Sequence, residues 1–212
     1  MRCAVSESMN LQAESSHGTW LDDLRQTGIE FVVVPETGSR PTRLKDLKDC
    51  EAVLLADGSA ERAGLHGGRG LATHRTEREM VRFARARRLP VVGIGQGAEF
   101  LGLYFGGRLC ASPEQQPGDR RLDLRVSPGY GPPHAEVHPA GRMLCDPKDF
   151  PAMLSPIAWD EHGNIAGFVH RDEPILGIHW QPASPADGAA DLIVDVLHGS
   201  TRSEAGLTRV NV

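Results

Sequence analysis

Short apolar runs alternate with helical stretches in the first half of the chain. Three runs of mostly aliphatic residues, over 31–35, 51–56 and 89–95, predict buried strands. Runs that lack polar positions are typical of strands covered on both faces of a sheet. Apolar positions at helical spacing predict one helix from Trp20 to a stop at Gly28 and another over 76–88. This alternation of strands and helices predicts a doubly wound, mostly parallel α/β sheet.

Each predicted helix has an apolar face that we expect to lie in the core. The first face comprises Trp20, Leu21 and Leu24, and the second comprises Met80, Val81 and Ala84. Thr76 and Glu79 match a capping box at the start of the second helix. Four arginines crowd its end, where the helix dipole favours cations, and we interpret them as a solvated helix end: Arg82, Arg85, Arg87 and Arg88.

The second half of the chain has a different pattern. Residues 110–147 are rich in Pro, Gly, Asp and His, which predicts loops with one or two antiparallel edge strands. Residues 155–180 predict an antiparallel β-meander with turns at 160–164 and 170–174. A closing helix follows, with four apolar residues inward: Leu192, Ile193, Val196 and Leu197. We therefore expect one domain over residues 1–198 and a flexible tail over 199–212.

Composition narrows the classes of function. The chain is 40% hydrophobic and 24% charged, which is ordinary for a soluble globular protein. Its net charge of −5 argues against a nucleic-acid partner, and its apolar runs are too short to cross a membrane. No signal peptide is visible, and the cysteines are far apart without a CxxC pair, so we expect a cytoplasmic protein with reduced thiols and no metal or cofactor.

The segment LPVVGIGQGAEFLGLYFGG, over 89–107, predicts a strand, a sharp glycine turn and a helix. Many enzymes hold a nucleophile at such a turn, because the strained tip residue projects from the sheet. The tip by spacing is Gly95, which has no side chain, and Gln96 begins the helix. Amides at a helix N-terminus can hold an anion. A plain strand-to-helix turn has the same pattern, so the turn alone does not identify a site.

Further motifs follow in a characteristic order. PVVGIGQGAEFLGLYFGG is followed downstream by DEHGNIAGFVHRDEPILG and PILGIHWQP, and it is preceded by EAVLLADGSAE and HRTEREMVRFARARRLP. Together these segments resemble class I glutamine amidotransferases, and within them the γ-glutamyl hydrolase branch. The likeness covers roughly residues 28–182. It implies a flavodoxin-like fold and a Cys-His-Glu triad in which a thiolate attacks a γ-glutamyl amide.

The triad positions hold different residues here. By position, the family's Cys falls on Gly95, its His on Gln181 and its Glu on Ala183. The resemblance also places an oxyanion-loop glycine at Gly58, and the family's substrate segment V-N-S-Y-H is not recognisable. Because a nucleophile and its base act as a unit, these losses exclude ordinary thiol-based glutaminase activity.

Other residues are candidates for contacting a ligand in the same pocket. His179 precedes Gln181 by two residues, so both face one side of a strand, and Glu99 replaces a family Gln on the helix after the turn. Each of these also has a structural interpretation, as a hydrogen-bonded histidine at the sheet edge or a favourable charge near a helix N-terminus. Cys110 and the pair His134 and His138 are weaker candidates, for a thiol and a metal respectively.

Three functional hypotheses remain open. The first is a degenerate amidotransferase-like protein that binds a small anionic or amino-acid-like ligand, or a partner biosynthetic enzyme. Its ligand-binding residues would be Gly58, Gly95, Gln96, Glu99, His179 and Gln181. The second is a biosynthetic enzyme with non-thiol chemistry on an amide or γ-glutamyl substrate. The third is a conventional glutaminase whose motifs are misaligned. A homo-oligomer is compatible with all three.

Overall fold

The computed structural model describes residues 1–6, 20–35, 47–55, 71–109, 122–139, 144, 150–182, 188–203 and 206–209. The helices in these ranges are α1 (Trp20–Gln26), α2 (Leu71–Arg87), α3 (Gln96–Tyr104) and α4 (Ala189–Leu197). The strands are β1 (Arg2–Ser6), β2 (Glu30–Val34), β3 (Ala52–Leu55), β4 (Val91–Ile94), β5 (Leu122–Val126), β6 (His134–Pro139), β7 (Leu154–Trp159), β8 (Ile165–His170), β9 (Ile175–Ile178), β10 (Trp180–Gln181), β11 (Ser200–Ser203) and β12 (Gly206–Arg209).

Ten of the described strands form one mixed sheet in the order β10-β6-β5-β7-β8-β9-β4-β3-β1-β2. In this order, neighbouring strands are antiparallel from β10 to β9 and parallel from β9 to β2. The predicted α/β fold, with a mostly parallel flavodoxin-like half and a later β-meander, is confirmed. The antiparallel pair β5–β6 also confirms the strands expected within 110–147.

Helices cover both faces of the parallel half. One buried cluster joins α1 and α4 to the sheet, and the other joins α2 and α3 to the opposite face. The strands β3 and β4 are buried at every position, as their uninterrupted apolar sequences predict. All the apolar helix residues expected in the core are buried: Trp20, Leu21, Leu24, Met80, Val81, Ala84, Leu192, Ile193, Val196 and Leu197.

The edge strand β2 departs from the expectation of cover on both faces. Among the described strands only β1 pairs with it, and Val33 is 44% exposed. The exposure follows from the position of β2 at the edge of the sheet, where part of its apolar surface is not covered by a neighbouring strand.

The strand β1 is absent from the sequence prediction, although it lies between β2 and β3 in the parallel half. Its sequence RCAVS offers a run of only three apolar residues, which is too short to separate a strand from a loop. In the structure Cys3, Ala4 and Val5 are completely buried.

Two details of α2 correct the prediction. The helix begins at Leu71, five residues before Thr76, so the proposed capping box of Thr76 and Glu79 is wrong. Thr76 is a buried residue inside the helix. At the other end, Arg85 forms a two-pronged ion pair with Glu173, so the arginine cluster is only in part a solvated helix end.

After α4, the strands β11 and β12 form an antiparallel hairpin in the segment to which the pattern assigned no element. The division into a domain over 1–198 and a flexible tail stays a prediction. No helix among the described residues is long and apolar enough to cross a membrane.

Candidate functional site

The turn between β4 and α3 has the geometry of an elbow. Gly95 has φ 57° and ψ −115°, a backbone conformation that residues with side chains rarely adopt. Its amide donates to the carbonyl oxygen of Ile178 at 2.8 Å, and its carbonyl oxygen accepts from the amide of Glu99 at 3.0 Å. The first bond fixes the tip to β9, and the second closes the first turn of α3. The predicted tip residue is therefore held at the carboxyl ends of two parallel strands.

The flanking glycines in GIGQG are required by close packing. A β-carbon at Gly93 would lie 2.7 Å from the backbone of Gly97, so a side chain there would push α3 away from β4. A β-carbon at Gly97 would overlap the carbonyl group of Leu55 in the neighbouring strand β3. The three glycines thus serve different purposes: two allow α3 to fold back tightly onto the sheet, and Gly95 allows the positive φ of the tip.

Beyond Ile178 the chain leaves the parallel sheet. The amide of His179 donates to the carbonyl oxygen of Ala166 at 2.8 Å, and the imidazole is completely buried with its ring centre 6.0 Å from that of Phe168. Trp180 and Gln181 then pair with β6, where Gln181 lies opposite His138. Gln181 is partly buried. It lies only three positions after Ile178, whose carbonyl oxygen holds the elbow tip.

The structure brings part of the predicted set together. Gly95, Gln96 and Glu99 form the elbow and the first turn of α3, and the bond from Gly95 to Ile178 joins them to the strand that leads to His179 and Gln181. Gln96 and Glu99 are partly buried. Gly58, Ala183 and Cys110 lie outside the described residues, so their predicted roles stay predictions.

The two described cysteines are poor candidates for a substitute nucleophile. Cys3 and Cys50 are free and buried, and burial is the main cause that raises the pKa of each thiol. Cys3 also lies near the amino end of β1, whereas Gly95 follows the carboxyl end of β4, a parallel strand. A thiol needs a lowered pKa and access to the site to act as a nucleophile, and these two have neither.

His134 and His138 both lie in β6 and not in a helix. The side chain of His134 is 70% exposed and lies 3.7 Å from a carboxylate oxygen of Asp123. Among the described residues, no group of three or more His, Cys, Asp or Glu is arranged to hold a metal ion.

A polar cluster at the opposite end of the sheet has no counterpart in the sequence analysis. His170, which showed no pattern in the sequence, lies beside Glu173, and Glu173 is paired with Arg85 of α2. One sequence signal could have indicated this cluster: His170 stands at the start of a predicted turn. Polar side chains at that position commonly accept hydrogen bonds from turn amides.

Solved structures of similar fold agree with the resemblance. A protein from Thermoplasma acidophilum that is provisionally named as a GMP synthase component superposes with a TM-score of 0.67 at 16% identity, covering 93% of this chain and 92% of its own. A glutamine amidotransferase from Thermotoga maritima gives 0.61 at 16% identity, with 85% and 75% covered. One from Methylobacillus flagellatus gives 0.60 at 18% identity, with 84% and 68% covered. At these identities the likeness concerns the fold.

The sequence match is more specific than the likeness of fold. Residues 14–184 match the glutamine amidotransferase class I family, and this range includes the elbow, the meander and the segment after β9. The chain therefore belongs to the class I glutamine amidotransferase family.

Proposed function

We propose that this chain is a member of its family that has lost thiol catalysis and uses the inherited site to bind a small anionic or amino-acid-like compound. The observation that carries the proposal is Gly95, a residue without a side chain at the tip of a strand-to-helix elbow. An elbow of this kind normally presents a nucleophile, and glycine presents none. The resemblance assigns the base and its orienting residue to Gln181 and Ala183, and neither can replace the missing groups.

The elbow supports binding for a physical reason. Gly95 is the N-cap of α3 and adds no side chain or negative charge there, and amides at a helix N-terminus favour an anionic group. In the branch that the motifs resemble, the substrate carries a γ-glutamyl group. L-Glutamate and γ-glutamyl dipeptides are therefore the first ligands to test. A partner enzyme is the second kind of occupant. The Thermoplasma acidophilum protein carries the name of a GMP synthase subunit, which supports testing for a partner enzyme.

The test is the thermal stability of the purified protein with L-glutamate, γ-glutamyl dipeptides and, as a neutral control, N-acetyl-L-alanine amide. A ligand at one hundred times its dissociation constant stabilises the folded state by about 2.7 kcal/mol. We expect the acidic compounds to raise the melting temperature and the control to leave it unchanged. Binding fails as a function if no acidic compound changes the melting temperature and no partner copurifies with the full chain.

A matched pair of variants locates the binding. Gln181 lies opposite His138 at one end of β6, whereas His134 lies at the other end and pairs with Arg125. We expect Gln181→Ala to weaken ligand binding by about tenfold, the loss of one hydrogen bond. We expect His134→Ala to leave it unchanged. Equal effects of the two changes would place the ligand elsewhere.

The alternative of non-thiol chemistry would use His179, Glu99 or a histidine of the Pro-rich region, and His179 is the first of these to test. The complete burial of this imidazole against Phe168 does not favour a role in proton transfer to a substrate. A turnover that falls at least a hundredfold in His179→Ala, with the fold intact, would restore the alternative.

A further inference from the structure

The turn after β8 is closed by the ring of His170. Its Nδ1 atom accepts hydrogen bonds from the amides of Asp172 and Glu173, each at 3.1 Å. An atom that accepts carries no proton, so the neutral ring holds its proton on Nε2. That nitrogen lies 3.7 Å from a carboxylate oxygen of Glu173, and only 5% of the side chain is exposed.

The same turn is tied to two helices. Glu173 accepts hydrogen bonds from Nε and Nη2 of Arg85, at 2.8 and 2.6 Å, near the end of α2. The guanidinium lies over the rings of Tyr104 and Phe105 at the end of α3, 5.9 and 5.2 Å from their centres. Phe105 in turn lies 5.1 Å from the ring of His170. The turn, α2 and α3 therefore meet in one partly buried cluster.

The cluster lies at the far ends of the two elements that form the elbow. β9 begins at Ile175, directly after the turn, and ends at Ile178, whose carbonyl oxygen holds Gly95. α3 begins at Gln96, next to Gly95, and ends at Tyr104 in the cluster. A change in the turn thus acts on the starting point of the strand that fixes the elbow tip.

We propose that the 170–174 turn is an acid-sensitive latch. Protonation of His170 puts a hydrogen on Nδ1, which then faces two amide donors and can no longer accept from either. The ring and the turn must separate, and the amides of Asp172 and Glu173 lose their acceptor. The latch is closed when the ring is neutral and opens when it is charged.

The surroundings of the ring have opposing effects on the pKa of His170. Burial lowers the pKa of His170, the carboxylates of Glu173 and Asp172 raise it, and Arg85 lowers it. Burial is the largest of these influences, so the pKa lies below its ordinary value of 6.5. Because the ring regains its ordinary pKa when the turn opens, acid favours the open form. One pH unit below 6.5, this linkage raises the opening equilibrium by up to about tenfold, the limit reached when the closed ring stays neutral.

The test is NMR of the full chain labelled with nitrogen-15, titrated from pH 7.5 to 5.5. We expect the ring nitrogens of His170 to show an unprotonated Nδ1 at pH 7.5 and a titration midpoint below the ordinary value of 6.5. We expect hydrogen-exchange protection of the Asp172 and Glu173 amides, corrected for intrinsic rates, to fall by up to about tenfold between pH 7.5 and 5.5. His162, whose side chain is 66% exposed in the same meander, provides the control position.

Two variants separate the latch from a general acid effect. His170→Asn retains a side-chain acceptor that does not titrate, so protection of the two amides should no longer depend on pH. His162→Asn is the control and should behave like the unaltered chain. The proposal is overturned if Nδ1 carries the proton at pH 7.5, or if amide protection stays constant while His170 becomes charged. Both of these readouts use the unaltered chain and do not require ligand binding.

Discussion

Gly97 shows how one residue fixes the approach of α3 to the sheet. A β-carbon there would overlap the carbonyl group of Leu55, which belongs to the backbone of a buried strand and cannot move aside. We expect Gly97→Ala to lower the free energy of unfolding by about 3 kcal/mol or more, the range seen for overpacked sites. Urea denaturation measures this loss.

Gly163 is the control for that change. It has φ 80° and no atom within 4 Å of an added β-carbon, so Gly163→Ala introduces backbone strain without a clash. The expected loss is about 1 kcal/mol. If Gly97→Ala destabilises no more than Gly163→Ala, the close contact with Leu55 is not what requires glycine at position 97.

Gly95 carries the strain of the elbow itself. Its φ of 57° and ψ of −115° are unfavourable for any residue with a β-carbon. Gly95→Cys should therefore lower the free energy of unfolding by about 1–3 kcal/mol, the usual cost of a strained backbone conformation. Urea denaturation of the variant beside the unaltered chain checks this, and equal stability of the two would contradict the strained geometry.

The glycine spacing in the sequence predicts Gly95 as the tip, but it does not explain why position 97 requires glycine. The tip follows from the spacing of glycines between an apolar strand and a helix, which is local information. The contact of Gly97 with Leu55 joins α3 to β3, two elements that are distant in sequence. Such contacts follow from strand order, which no local pattern contains.

The end of α2 provides a prediction at the scale of an element. Arg88 has φ 57°, its amide donates to Arg85, and the next amide, of Leu89, donates to Ala84. These bonds form the helix C-terminal motif in which glycine is preferred at the left-handed position. We expect Arg88→Gly to raise the free energy of unfolding by about 1 kcal/mol.

Arg82 is the matched control for this substitution. It is exposed within the same helix, where glycine is unfavourable. Arg82→Gly should lower the free energy of unfolding by about 1 kcal/mol. The two substitutions of arginine by glycine are thus expected to change the free energy of unfolding in opposite directions. A change in the same direction would show that loss of positive charge dominates both.

The 170–174 turn predicts how stability depends on pH. The lowered pKa of His170, caused mainly by burial, means that its contribution is complete above 6.5 and is lost as pH falls below that value. The lowered pKa of Glu173, caused mainly by its hydrogen bonds to Arg85, gives a second loss below 4.5. Urea denaturation between pH 8 and 4 should show both, and His170→Asn should remove only the first. A free energy of unfolding that is constant between pH 7.5 and 5.5 would contradict this prediction.

Helix faces were more predictable than helix and strand limits. Periodicity identified the buried residues of α1, α2 and α4, because a helix that packs on a sheet must have an apolar face. The start of α2 was wrong because Thr76 and Glu79 match a capping pattern in the interior of a longer helix. The strand β1 was missed because its position in the sheet, and not its composition, makes it buried.

At the scale of the whole molecule, the sheet changes character beside the site. Parallel strands from β2 to β9 end at one edge, and Gly95 and Ile178 are joined there. Ligands of open α/β sheets usually bind at the carboxyl ends of the strands. The antiparallel strands extend this edge, since β10 leaves β9 to pair with β6 and places Gln181 beside His138 in the register. The motifs predicted this fold class, but the cross-strand pairing depends on the assembled sheet.

The rate of ammonia release from L-glutamine by the purified chain tests the central claim most directly. The unaltered chain should release no ammonia above background, and Gly95→Cys alone should not change this, because the residues assigned as base and orienter remain absent. The comparison is the triple variant Gly95→Cys, Gln181→His, Ala183→Glu, which supplies the three residues that the resemblance assigns to the triad. Release of ammonia by the unaltered chain at a steady rate would contradict the loss of thiol catalysis, whereas its appearance on Gly95→Cys alone would show that another residue already serves as the base.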